Sequence, residues 1–228
     1  MLHGSVWDKI PRFALPVAAT AILEQLFNAS DVAVVGNFTG EARTAAVAAV
    51  GANSAIIGLI VNLFIGIALG ANVVIAHAIG QGDRETVTKA VHTSVLVALL
   101  GGGLVALILP FGKQLLAIFN SDPEVVDTGY IRLVMVMLAH SFSLLFEVMS
   151  GYLRGFGVSM TPAVLTMAGV CGIRIAWIQF VFPASRTFRT IMTVYPVSLA
   201  ATAVLIFGAL VICRPARKFA AVQREGTI

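Results

Sequence analysis

AILEQLFNASDVAVVG, residues 21–36, sits inside an apolar stretch from Phe13 to Phe38 that is long enough to cross a bilayer, yet it carries Glu24, Gln25, Asn28 and Asp31. A carboxylate near the bilayer centre costs about 2.5–3.5 kcal/mol even on the lenient insertion scale, so it is kept where it faces a cavity or a partner. Glu24, Asn28 and Asp31 stand at i, i+4 and i+7, one stripe of a helix, with Gln25 and Phe27 at its borders. The stripe is expected to face protein or water. Its expected use is to hold a cation or a proton that is exchanged as something else crosses the membrane.

The rest of the chain suits the same solvent. Of 228 residues, 58% are hydrophobic and only 11% charged, and mean hydropathy is +0.94, against about 25% charged in soluble domains. This is the composition of an integral membrane protein, and the net charge of +4 is read by position as a topology signal, with no nucleic-acid partner implied. Six apolar segments of spanning length are predicted, near Phe13–Phe38, Ala45–Ile79, Ala90–Phe111, Val125–Tyr152, Pro162–Phe182 and Ile191–Ile212. They form an all-α transmembrane domain over 13–212, between an interfacial lead-in (1–12) and a basic tail (213–228). The second segment exceeds bilayer thickness and is expected to tilt or protrude. In the third break, Ser121 is the expected cap of the fourth span, with Glu124 reaching back.

Lysines and arginines on the side of both termini are Lys9, Arg12, Arg84, Lys89, Arg154, Arg214, Arg217, Lys218 and Arg224; opposite them are Arg43, Lys113, Arg186 and Arg189. Nine against four predicts cytoplasmic termini, in a bacterial-type inner membrane. Trp7, Lys9 and Arg12 precede the first span without a small-residue cleavage pattern, so the N-terminus is read as retained and not as a signal peptide. Cys171 and Cys213 lie in apolar surroundings without paired spacing and imply neither disulfide nor metal.

Other features have plain readings. Gly66 and Gly70 in GIALG, a small-xxx-small pattern, are expected to pack within the fold in preference to forming a dimer seam, and Gly101, Gly102 and Gly103 to serve packing or flexibility. Pro16 and Pro196 are read as static kinks. GQGD and RGFG hold glycines as phosphate loops do, but neither follows a strand, so nucleotide binding is not expected. His140 is read as a packing residue with a proton-shuttle alternative, since histidine titrates near neutral pH. Glu147, about five residues from the end of its span, is read as structural. Arg174 lies about 18 Å from the cytoplasmic end of span five, too deep to snorkel. Glu24 lies at a similar depth, and an ion pair with Arg174 stands level with cavity exposure as its explanation.

LFNASDVAVVG in span one, the long second span ending IGQGD, the following KAVHTS, and RGFGVSMTP after span four resemble the multidrug and toxic compound extrusion (MATE) transporters over nearly the whole chain. The resemblance implies a secondary active exporter that expels organic cations or other drugs in exchange for protons or sodium. It also implies two six-helix lobes around a central cavity, one topology repeated about an axis along the membrane normal. Only one GQGD and one RGFG are present, so the chain resembles one lobe, half a transporter. Its start is similar to the family's first lobe, while VCGIRIAWIQFVFP and TVYPVSLAATAVLIF are similar to the end of the second, with a join in or after the third span.

By that resemblance, Asp31 matches the first-span aspartate at which coupling is centred, and Asn28 the asparagine three positions before it. Phe27 stands where many members carry tyrosine, and span five offers Cys171 and Arg174 where the first lobe supplies asparagine and aspartate. An arginine there favours the charged carboxylate and opposes proton uptake. Glu24 and Gln25 join the expected ion or proton site; Phe27, His140 and Arg174 are candidate cavity residues. No cofactor beyond the coupling ion is expected. The partners expected are membrane lipid, a small organic substrate of cationic type, and a second copy or another half-transporter. Three functions follow: a coupled drug antiporter of paired lobes, a transport-incompetent remnant, or a flippase for lipid-linked substrates. No enzyme is expected, because the chain holds neither HExxH nor a recognisable nucleophile motif.

Overall fold

The computed structural model describes residues 6–38 and 43–213, with the side chains of a few residues in the first helix, Glu24 among them, outside the described set. Among the described residues every regular element is helical. Helix α1 runs Val6–Phe38, α2 Arg43–Gln81 and α3 Arg84–Ile108; a 3-10 turn, Leu109–Phe111, leads into α4, Gly112–Ala117. After α5, Pro123–Gly155, comes a composite helix: α6 (Met160–Thr166), a π-helical stretch (Met167–Gly172), α7 (Ile173–Ala176), a second π stretch (Trp177–Val181) and a 3-10 turn (Phe182–Ala184). Helix α8 spans Phe188–Cys213.

Five segments, Arg43–Gln81, Arg84–Ala117, Pro123–Gly155, Met160–Ala184 and Phe188–Cys213, are long and apolar enough to cross a membrane. The remaining expected crossing, α1, is a continuous helix of 33 residues. At 1.5 Å per residue, the 39 residues of α2 extend about 58 Å, nearly twice the hydrocarbon thickness. Of the expected lead-in, residues 6–12 form the start of α1, while residues 1–5 and the tail beyond Cys213 lie outside the described residues.

Short turns make successive helices antiparallel, and two of them are closed by glycines that the sequence placed in GQGD and RGFG. Gly82 and Gly157 adopt φ of 73° and 83°, the left-handed region that only glycine enters without penalty. In the first turn, the Gly82 amide donates to the Ile79 carbonyl and Asp83 to Ala78; in the second, Gly157 donates to Arg154 and Val158 to Leu153. Both are Schellman closures, which use up carbonyls otherwise orphaned at a helix end. The glycines terminate helices. Asp83 then starts α3, its carboxylate accepting from the Thr86 amide at 3.0 Å and from the Thr86 hydroxyl at 2.6 Å. These bonds hold Asp83 below the usual carboxylate range.

The cap of α5 is Asp122 and not Ser121: its carboxylate accepts from the Glu124 amide at 2.9 Å. Pro123 fixes this register, since proline suits the first helical position and the cap is the residue before it.

The core lies along α2, α5 and α8, where Val50, Phe64, Met137, Phe146, Ile191 and Ile206 are buried. Gly129 lets α5 approach α2, and the Asn53 side-chain amide donates to its carbonyl at 2.7 Å. Gly101 abuts Phe64 and Gly102 abuts Ser141, as packing glycines should, whereas Gly103 has nothing among the described residues within 4 Å of the space a Cβ would take. Gly66 and Gly70 depart from expectation. They sit on an exposed face of α2 with nothing within 4 Å of the space a Cβ would take, so their small size serves no packing within this bundle. The helix already turns Phe64 and Ala68 toward the core, and Gly66 and Gly70, offset by two residues, point away.

Candidate functional site

The stripe on α1 divides. Asp31 is 1% exposed and Asn28 half-buried, whereas Gln25 is exposed and held at the border by Asn28, whose Nδ2 donates to its Oε1 at 3.4 Å. The side chain of Glu24 lies outside the described residues, so its pairing with Arg174 is left aside. The expected single polar face is therefore two environments, because consecutive helical residues are about 100° apart and α1 packs Val35, Asp31 and Phe27 inward.

Asp31 meets Arg174. The guanidinium Nη1 donates to Asp31 Oδ2 at 3.0 Å and to Asn28 Oδ1 at 2.9 Å, with Arg174 itself 3% exposed. Its Cζ lies 4.4 Å from the centroid of the Tyr195 ring, a cation–π contact. Arg132 of α5 comes near enough to bear on the charge of Asp31, and its Nη1 donates to the Val50 carbonyl of α2 at 2.9 Å. Counted from the helix ends nearest them, Asp31, Arg132, Arg174 and Tyr195 all lie about 10–15 Å deep. Four elements thus bring charged or polar side chains to one level of the bundle. Asp31 Oδ1 and Arg174 Nε have no hydrogen-bond partner among the described residues.

Arg174 sits on α7, the single α-helical turn between two π stretches. A π turn widens the helix by one residue and such bulges concentrate at functional sites. Here they let the composite helix hug α8: a Cβ on Gly169 would collide with the Thr202 side chain and stand 3.0 Å from its Cα. The Trp177 indole donates to the Thr190 carbonyl at 2.9 Å and ties the same helix to α8 at its other end. The sequence carried little trace of this. Gly169 is its best signal in the sequence, and Arg132 lies in no motif or stripe that would single it out as a site residue.

The other candidates lie apart or are satisfied locally. His140 bonds its own helix through Nδ1 and the Val136 carbonyl at 2.7 Å, the arrangement of a packing histidine, although Arg174 acts electrostatically on it. Phe27 is half-buried on α1. Glu147 pairs with Arg154 at 3.1 Å, consistent with a structural role.

At the opposite end of the bundle, α3, α5 and α8 enclose a cleft of about 690 Å³. Its walls are apolar, Val91, Val95, Phe142, Met149 and Phe207 among them, with Thr88, His92 and Tyr152 at the polar margin. The volume lies in the range of sites that take drug-sized molecules. No spacing in the sequence announced it, since its walls are ordinary apolar residues.

The MatE family model matches residues 16–180. Among curated relatives, the chain is 29% identical over 157 residues to the probable multidrug resistance protein NorM of Thermotoga maritima, covering 68% of this chain and 33% of that protein. It is 25% identical over 204 residues to the probable multidrug resistance protein YoeA of Bacillus subtilis, covering 86% and 42%. The fold is similar to that of the eukaryotic MATE transporter AtDTX14, with a TM-score of 0.77 and 21% identity, over 96% of this chain and 50% of that one. It is likewise similar to an outward-facing multidrug resistance MATE family transporter of the MOP superfamily, with a TM-score of 0.75 and 22% identity, over 90% and 45%. The chain spans between a third and a half of the proteins it matches.

Proposed function

From the premise that this chain belongs to the MatE family, we propose that it is one lobe of a secondary active drug exporter, in a membrane with both termini on the cytoplasmic side. The substrate is a small, largely apolar organic molecule, drawn from the organic cations and other drugs that the sequence resemblance suggested. A proton or sodium gradient drives its exit by antiport. The observation that carries the exporter reading, whichever site uses the gradient, is the buried Asp31–Arg174–Asn28 cluster, built across two packed elements of an otherwise apolar bundle. A charge pair taken out of water at this depth is costly, and sequences retain such pairs where a site uses them. The apolar cleft supports the substrate class, for it offers a drug-sized volume with few polar groups.

A second lobe is part of the proposal, supplied by another copy or by another half-transporter. A closed pair related by an axis along the membrane normal is the commonest symmetric solution and matches the repeat logic of such exporters. A transport-incompetent remnant is the less favoured reading, because the deep Asp31–Arg174 pair is intact and α3 and α5 keep their side-chain caps.

The test is reconstitution of the full chain at several copies per vesicle, with efflux of a cationic dye followed under an imposed proton or sodium gradient. Export that needs the gradient, together with cross-links between single cysteines along α1 in a background lacking Cys171 and Cys213, supports the proposal. Absence of both export and cross-links would favour the remnant.

A further inference from the structure

The oxygens that an exchangeable cation would need at Asp31 are already taken. Asp31 Oδ2 and Asn28 Oδ1 both accept from one nitrogen of Arg174, and the two charged side chains are 2% and 4% exposed. A hard cation replaces its water shell with several oxygen ligands, and only Asp31 Oδ1 is left without a partner on these two side chains. The surroundings oppose a further cation as well. The positive charge of Arg132 on α5 acts on Asp31 beside that of Arg174, and on α8 the Tyr195 ring lies against the guanidinium while its hydroxyl bears on Asp31. His140 comes within electrostatic reach of Arg174. Among the described side chains, two guanidinium groups thus act on one carboxylate.

We propose that Arg174 is a tethered counter-ion: its guanidinium fills the place at Asp31 that an exchangeable cation would occupy, so this lobe binds neither sodium nor a coupling proton there. Any gradient that drives transport is then used at a site other than Asp31. Only that last consequence rests on the exporter reading. The π stretches on either side of α7 hold the guanidinium in place from span five, and Gly169 and Trp177 fix that helix against α8.

The experiment measures the thermal stability of the full chain in detergent at constant ionic strength, exchanging sodium chloride for N-methylglucamine chloride, and at pH 5.5 against pH 8. The wild type is expected to show no saturable sodium response and no acid stabilisation that depends on Asp31. Arg174→Gln is expected to acquire one or the other, with Tm rising by roughly 3–6 °C at tenfold excess of ion over its Kd. Adding Asp31→Asn to that variant removes the response, and Arg174→Lys, which keeps a tethered charge, does not acquire it. Should Arg174→Gln fail to fold, Arg174→Ala produced in methylguanidinium supplies the second measurement: saturable stabilisation by that free cation, lost on adding Asp31→Asn. A wild type that sodium or acid stabilises through Asp31 overturns the proposal, as does an Arg174 variant that answers to no cation at all. A chain that exports no dye leaves this outcome untouched, because the readout is cation binding and not transport.

Discussion

One end of the bundle is charged and closed; the other is apolar and open. Asn28, Asp31, Arg132, Arg174 and Tyr195 draw α1, α2, α5, α7 and α8 together, while α3 and α8, each packed on α5, flank a cleft of about 690 Å³. The contrast follows from the solvent. In a low-dielectric surrounding an unpaired charge is expensive, so each one gathers partners until it is covered. Apolar walls gain little by closing, because lipid tails are as apolar as leucine and no hydrophobic force presses the helices together. A membrane bundle can therefore leave an apolar cleft at little cost and cannot leave a carboxylate bare.

The largest effect is expected from breaking the charged end. Arg174→Leu leaves Asp31 buried without its partner and should cost about 3–5 kcal/mol of stability, read from unfolding in mixed micelles. Adding Asp31→Leu should return much of that loss. If the double variant unfolds as easily as the single one, the pair does not hold this end together.

A smaller loss is expected where the backbone and not the charge is altered. Gly169→Ala drives a methyl group into Thr202 and pushes the composite helix off α8, costing about 1–3 kcal/mol as overpacking does. Thr202→Ala in the same chain should relieve part of it. Full additivity of the two changes in the same unfolding assay would show that the close approach at Gly169 matters little.

Filling the open end should affect transport and spare stability. Ala203→Phe places a ring in the cleft beside Phe207 and should reduce dye export by about tenfold, a loss of about 1.4 kcal/mol in the transition state, with Tm nearly unchanged. Unimpaired export would remove the cleft from the substrate path and sharpen the contrast in favour of the charged end.

The least effect is expected at the turn before α3, close to the cleft. Thr86 holds the Asp83 carboxylate below its ordinary range, so the charged form is the one that stabilises the fold. That contribution is complete above the unfolded carboxylate range and is lost as pH falls through the lowered value. Asp83→Asn should lower Tm slightly at pH 7, and the difference from wild type should shrink in acid.

Several of these features were legible before any coordinates. Asp31 announced a buried site because no other explanation suits an acid in a span, and Arg174 announced a partner by its depth. The glycines of GQGD and RGFG marked the ends of α2 and α5. The partner of Arg174 was open, since depth favours Glu24 and side-chain reach admits Asp31, and only the rotation of α1 against α7 places Asp31 against the guanidinium. Gly66 and Gly70 show the reverse case. A small-xxx-small spacing states what a helix face permits, and whether a neighbour lies on that face is a property of the assembly.

The sequence by itself determined the solvent, the helical class, the approximate spans and the residue on which the site would centre, because each of these follows from the cost of placing one residue type in hydrocarbon. Tertiary structure alone decided which cation meets Asp31, that Arg132 and Tyr195 join it, that span five widens around Arg174, and that a drug-sized cleft remains between α3, α5 and α8. Those are relations between helices, set by rotation, register and close approach, and hydropathy along one chain carries no information about the angle at which two helices face each other.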